Sequence, residues 1–252
     1  MAKKDLKRVF ALIGAILFLA PALHAQEKCP VEVKFLLSPP TTQAVIASLG
    51  FEGETTGRVY FFDTDALDLS MQGVILRVRQ GTKNDLTVKL RLPKGNQQVD
   101  NSRLRERFPC EIDRTRAGAV TSYAVGRRYK AAKEPELGSD IYRLLSASQI
   151  KLLNEARVSV DWARVMRVAN IKSTNWETTA QSPYGRLALE LWEWPGGKIL
   201  ELSAKAGPEA EESKYAELER LVRMKYLSLS ASQDTKTSLA LRTLADHVSP
   251  PR

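Results

Sequence analysis

The sequence predicts an α+β domain in which an antiparallel β-barrel encloses a charged lumen and helices cover its outside. Three observations carry this expectation. Charged and aliphatic side chains alternate with period two in five segments, the charges on the polar faces are mostly of one sign, and capped helical stretches lie between and after these segments. Period-two alternation marks a strand with one apolar and one polar face.

The first such segment, Val31-Glu32-Val33-Lys34-Phe35, puts Glu32 and Lys34 on one face and Val31, Val33 and Phe35 on the other. Pro39 to Leu49 reads as a helix with capping threonines, and Gly50 suits the left-handed position after its end. Leu76–Arg79 and Val88–Leu92 repeat the alternation, joined by a hairpin turn over Gly81–Asp85. Arg103 to Ile112 sets Arg103, Arg105, Arg107 and Glu111 against Leu104, Phe108, Cys110 and Ile112, and is read as a strand. The segment from Arg116 to Leu145 is mixed. Ser146 to Ala156 reads as a short helix. Leu187–Glu193 and Lys198–Lys205 form two strands around the tight turn Trp194-Pro195-Gly196-Gly197. Pro208 to Lys225 is a long helix with proline near its start, and Thr235 to Asp246 is the last one.

The polar faces carry Lys34, Arg77, Arg79, Lys89, Arg91, Arg105, Arg107 and Lys205 against Glu32, Glu111 and Glu201. One such strand fits an open sheet with its charged face in water. Across five strands a solvated sheet should mix its signs, because opposite charges paired across strands stabilise it and like charges do not. A lumen fits better. Like charges about 4 Å apart repel by roughly 4 kcal/mol at an effective dielectric of about 20. A small polyanion carrying several phosphates would relieve that repulsion, and the guanidinium fork suits phosphate oxygens.

The chain has 252 residues and a formal net charge of +9; residues 1–25 account for +3, leaving +6. That excess suits an anionic partner and also simple solubility. Lys3, Lys4, Lys7 and Arg8, then the apolar run Val9–Ala20, then Pro21–Ala25 read as a signal peptide over residues 1–25. The alternative is an uncleaved membrane anchor. The expected mature protein, residues 26–252, is a single domain, periplasmic or secreted. No later stretch approaches the roughly 20 apolar residues of a membrane helix, so no membrane association is expected after cleavage. In an oxidising compartment Cys29 and Cys110 are expected to form a disulfide.

Histidine is confined to His24 and His247, which disfavours Ser-His-Asp, Cys-His and histidine-zinc chemistry. No phosphate-binding glycine loop and no nucleophile elbow occurs. Trp162, Trp176, Trp192 and Trp194 are read as packing residues, and Arg127-Arg128-Tyr129-Lys130 as a solvated helix face. The cations alternate inward and form no exposed stripe, so no specific nucleic-acid partner is expected.

These residues resemble the CYTH-type triphosphate tunnel family, which groups class IV adenylate cyclases, thiamine triphosphatases and inorganic triphosphatases. Pro30–Lys34 resembles its opening E-x-E-x-K strand, and Phe61-Phe62-Asp63-Thr64-Asp65 its Y-F-D-T-P segment. Gly73–Arg79 is similar to G-x-x-L-R-x-R, Leu86–Leu90 to L-T-x-K-x, Ile199–Ser203 to the E-x-E strand, and Thr235-Lys236-Thr237 to the late S-K motif. The resemblance implies an eight-stranded antiparallel barrel forming a tunnel. It places Lys34, Arg77, Arg79, Lys89, Arg107 and Lys236 on phosphate, and Glu32, Glu111 and Glu201 on Mg²⁺ or Mn²⁺. Glu32 and Lys34 are the candidate catalytic pair. The implied reaction is metal-dependent hydrolysis of a triphosphate.

Three positions depart from the pattern. Pro30 replaces the first glutamate of the opening motif, Ser203 the second of E-x-E, and Pro109 the first of an R-x-E-x-E over Arg107–Glu111. A bulge near Glu106 would alter that last register. The alternative to an enzyme is therefore a non-catalytic polyanion-binding protein that uses the same tunnel. Cleavage is expected after Ala25, checked by the intact mass of the exported protein; a mature form still carrying Lys3 to Phe18 would contradict it.

Overall fold

The computed structural model describes residues 28–38, 42–81, 83–91, 101–129 and 140–248. The expected signal peptide, Pro39, Thr82, Leu92 and Lys130 lie outside the described residues. Nine strands close into a barrel: β1 (Val31–Leu37), β2 (Glu52–Asp63), β3 (Val74–Gln80), β4 (Asp85–Arg91), β5 (Cys110–Thr115), β6 (Gly118–Arg128), β7 (Met166–Glu177), β8 (Leu187–Trp194) and β9 (Gly197–Ala206). Their order around the ring is β1-β5-β6-β4-β3-β2-β7-β8-β9, and β9 returns to β1.

The count corrects the expected eight antiparallel strands, and the reason is topological. Neighbours around a ring can all run antiparallel only if their number is even. With nine, one pair must be parallel, and it is β1 with β5, where Val31 lies opposite Ile112 and Val33 opposite Arg114. A disulfide between Cys29 and Cys110 sits at the start of this seam, with Cα atoms 5.2 Å apart. Beside it the Ile112 amide donates to the Pro30 carbonyl at 2.8 Å.

Among the described residues six α-helices accompany the strands: α1 (Thr42–Leu49), α2 (Asp68–Met71), α3 (Asn101–Arg107), α4 (Ala147–Glu155), α5 (Glu211–Met224) and α6 (Lys236–Val248). Helix α3 replaces the first half of the expected Arg103–Ile112 strand. Leu104 and Phe108 share a face at spacing four, which satisfies a helix and a strand alike. The helix is closed by the Phe108 amide donating to the Leu104 carbonyl at 2.9 Å, and β5 begins only after Pro109. Helix α4 has a capping box in which Ser146 and Gln149 bond reciprocally. The buried Gln149 amide then donates to the Leu86 and Val125 carbonyls, tying α4 to β4 and β6.

The aliphatic faces point outward, as the alternation predicts. Phe35 and Leu37 of β1 pack with Val45 of α1 and Leu218 of α5. Val78 of β3 and Val88 of β4 pack with Leu104 of α3 and Leu152 of α4. The Phe-Phe-Asp-Thr segment has a structural role: the buried Asp63 carboxylate accepts from the Leu69 and Ser70 amides at 2.8 and 2.9 Å and fixes α2. A third apolar cluster lies inside the ring. Val59, Phe61, Ile75, Ile171 and Trp192 meet Ala240 and Leu241 of α6, so this helix closes one end of the barrel. Trp192 is thus a packing residue. Among the described residues no helix is long and apolar enough to cross a membrane.

Candidate functional site

Above this apolar floor the lumen is a cavity of about 1030 Å³ lined by inward side chains of the strands and by the start of α6. Three charge networks occupy it. The central one surrounds Asp113, which has no exposed surface. Lys34 is ion-paired to Asp113, and its ammonium also lies 2.8 Å from Glu32. Lys89 approaches Asp113 at 2.9 Å and Glu111 at 3.4 Å, and Arg91 approaches Asp113 at 3.0 Å. Arg91 is held from the floor by Thr235, whose hydroxyl accepts at 3.0 Å.

The second network joins Lys236, at the first turn of α6, to Glu201 at 2.7 Å and to Glu190. The Trp192 indole and the Ser173 hydroxyl donate to Glu190 at 2.6 and 2.8 Å. In the third, the Arg79 guanidinium grips Asp85, which also accepts from Thr87 at 3.1 Å. Arg77 stands apart. It forms no ion pair with a described residue, and its buried Nε has no acceptor.

The electrostatics follow from confinement. Burial alone would raise the Asp113 carboxyl, but the charges of Lys34, Lys89 and Arg91 outweigh it and hold the group well below the usual carboxylate range. Burial likewise opposes the Lys34 ammonium, and Asp113 and Glu32 over-compensate, raising it. For Lys89 burial wins, and its affinity for a proton falls. Glu190 is lowered to about 2, because Lys236 and the Trp192 and Ser173 hydrogen bonds overcome desolvation. For Arg77 burial and the neighbouring Arg79 outweigh the attraction of Asp85 and Glu190 and push it down to about 10.

The structure brings together most of the residues selected from sequence. Glu32, Lys34, Arg77, Arg79, Lys89, Arg91, Glu111, Glu201, Lys205 and Lys236 all line the cavity. Arg105 and Arg107 do not. They belong to α3, outside the barrel, where Arg107 pairs with Glu155 of α4. Glu201 serves Lys236, so the acidic cluster is Glu32, Glu111 and Asp113, whose ligand oxygens lie within 4.8 Å of one another. That cluster has the donor set for a divalent metal ion. Sequence reasoning passed over Asp85, Asp113 and Glu190. Asp113 shares the parity of Glu111, so an E-x-D pair two residues beyond the assumed motif was available to find. These carboxylates also correct the expected imbalance of charge, since most lumen cations already have partners.

A family model for the CYTH domain matches residues 30–238. Two solved structures are similar in fold. One, a candidate adenylyl cyclase from Hippeastrum described as having a dominant triphosphatase activity, has a TM-score of 0.59 at 19% identity over 84% of this chain and 94% of that one. The other, a candidate adenylate cyclase from Bacillus halodurans, has a TM-score of 0.58 at 17% identity over 84% of this chain and 97% of that one. No curated protein sequence matches the chain.

Asp113→Asn should leave three partly buried cations without their shared counter-charge. A loss of about 3 kcal/mol is expected for a broken buried pair, or roughly 6–12 °C in Tm for a domain of this size. The folded-state pKa of Asp113 lies below its unfolded value of about 3.9, so its contribution is complete above that pH and is lost as pH falls. Thermal unfolding at pH 7 and at about pH 3 should therefore cost the wild type more stability than the variant. Equal acid sensitivity would contradict the assignment.

Proposed function

Since the chain belongs to the CYTH domain family, we propose that it is an exported, metal-dependent phosphohydrolase acting on a triphosphate-containing anion, either inorganic tripolyphosphate or a nucleoside triphosphate. The observation that carries this reading is the meeting, inside one closed barrel, of Arg77, which forms no ion pair among the described residues, with a cluster of three carboxylates. A guanidinium whose buried Nε has no acceptor among the described residues favours an incoming anion, and phosphate offers two oxygens to its fork. The paired cysteines support export, because a disulfide persists in an oxidising compartment.

The donor set fits Mg²⁺ or Mn²⁺, which are hard cations that take carboxylate oxygen. Glu32, Glu111 and Asp113 would hold the ion, which supplies Lewis-acid stabilisation of phosphoryl oxygen and a more acidic water. Lys34 and Lys89 pair with the same three carboxylates. Their two positive charges equal those of one divalent ion. With such an ion held there, Lys34 and Lys89 would be free to face phosphate oxygens, while Arg77 would orient the chain and Arg79, backed by Asp85, would add a second fork. Charge developing on the transferred group is met by cations already in place, so little reorganisation is required.

A second reading is a binding protein without turnover. It is favoured by Ser203, whose hydroxyl donates to Glu32 at 3.2 Å from a position where the family pattern has a carboxylate. Two substitutions separate the readings. Arg77→Ala should weaken tripolyphosphate binding by about ten- to a hundredfold by calorimetry, the worth of a charge-assisted contact, and Arg77→Lys should recover part of it. Glu32→Ala should hold or tighten binding in EDTA while phosphate release with Mn²⁺ falls. Unchanged affinity in Arg77→Ala would remove the lumen as the site. Tight binding with no release under either metal would select the binding protein.

A further inference from the structure

Building on the proposed phosphate site, we infer that the preferred ligand is the end of a linear polyphosphate longer than three units, inserted end-on from one mouth. The first observation is that the barrel is blind. Phe61, Ile75, Ile171 and Trp192 point inward at the α6 end and share one apolar cluster with Leu241, leaving no charged path through the floor among the described residues. A chain cannot thread the barrel; it enters and leaves at the opposite end. The second observation is the chemistry of that opposite mouth. Lys83 in the β3–β4 turn, Arg128 at the end of β6 and Lys205 near the end of β9 line the cavity there, are exposed, and form no ion pair with a described residue. Arg128 belongs to the basic run read from sequence as a solvated helix face; it instead ends a strand on the lumen side of the rim.

These positions divide the cations into two sets. Deep in the lumen Lys34, Lys89, Arg91 and Lys236 are already matched by carboxylates. On the β3–β4, β6 and β9 side of the mouth the cations have no ion-pair partner among the described residues, while Glu52 and Glu177 stand on the β2–β7 side, so the attraction for an anion continues along the basic side past the depth at which a short ligand ends. The cavity, about 1030 Å³, is at the upper limit of the roughly 300–1,000 Å³ that holds a drug-sized molecule. It has room for more than three phosphates. A nucleobase finds little there: Trp176 is the aromatic side chain among the described lining residues, is 6% exposed, and donates its indole N–H to Glu54 at 3.2 Å. Stacking needs an accessible ring face, and this one is covered.

The test is calorimetry in EDTA with tripolyphosphate, longer linear polyphosphates, cyclic trimetaphosphate and ATP. Affinity per chain end should rise by about tenfold or more from tripolyphosphate to a chain that reaches the rim, and then level off, as expected for one or two added charge-assisted contacts. The cyclic anion, which has no end, should bind more weakly than the linear trimer, and ATP no more tightly than it. In the exposed double variant Lys83→Ala, Arg128→Ala the ratio of long-chain to trimer affinity should fall towards one. If no phosphate anion binds, the lumen reading itself fails. If the trimer binds but chain length is without effect, or the double variant keeps the full ratio, the lumen stands and end-on capture of a longer chain is wrong.

Discussion

Lys34, Lys89 and Arg91 can share one small volume only because Asp113, with no exposed surface, stands between them. Taking four ionised groups out of water costs several kcal/mol each, and their mutual attraction offsets that cost only while the geometry holds. The rest of the lumen depends on this arrangement. Asp113 fixes the lysines beside Glu32 and Glu111, so cations and carboxylates are interleaved. An anion gains the lysines if a cation takes their place on the carboxylates.

The backbone makes the arrangement obligatory. Asp113 lies opposite Glu32 across the parallel β1–β5 pair, the pairing that a nine-stranded ring must contain. The Cys29–Cys110 disulfide and the Pro30–Ile112 hydrogen bond lock that seam at its start. Cross-linking residues 81 apart in sequence contributes roughly 4–5 kcal/mol in the chain-entropy model. At the other side of the lumen α6 does two things at once. Its apolar face seals the floor, and its first turn delivers Lys236 to Glu190 and Glu201. Floor and charge network are therefore coupled through one helix.

Much of this was legible in the sequence. The outward faces of β1, β3, β4 and β9 follow from strict alternation, and the same parity placed Lys34, Arg77, Arg79, Lys89, Arg91 and Lys205 in the lumen. Helix α3 was not legible, because Leu104 and Phe108 fit both periods and only the tertiary contact with Glu155 decides between them. Strand β7 was missed because its outward positions include Arg167 and Lys172, which hide the alternation. Asp113 is hidden because Pro109 stands at the first glutamate position of the R-x-E-x-E pattern, which ends the motif at Glu111, two residues early. The compensating carboxylates Asp85 and Glu190 were equally visible by parity, but nothing in one strand shows which cation on another it will meet. Register decides that, and register belongs to the closed ring.

Under the proposed function, Lys34 and Lys89 would give up Glu32, Glu111 and Asp113 to a divalent ion when a phosphate chain enters. A crystal structure of the complex with Mn²⁺ and a methylene-bridged tripolyphosphate analogue tests this most directly. The account predicts the ion on oxygens of these three carboxylates and the Lys34 and Lys89 ammonium groups on phosphate oxygen. Finding both lysines still on Asp113, with the ion bound elsewhere, would contradict it.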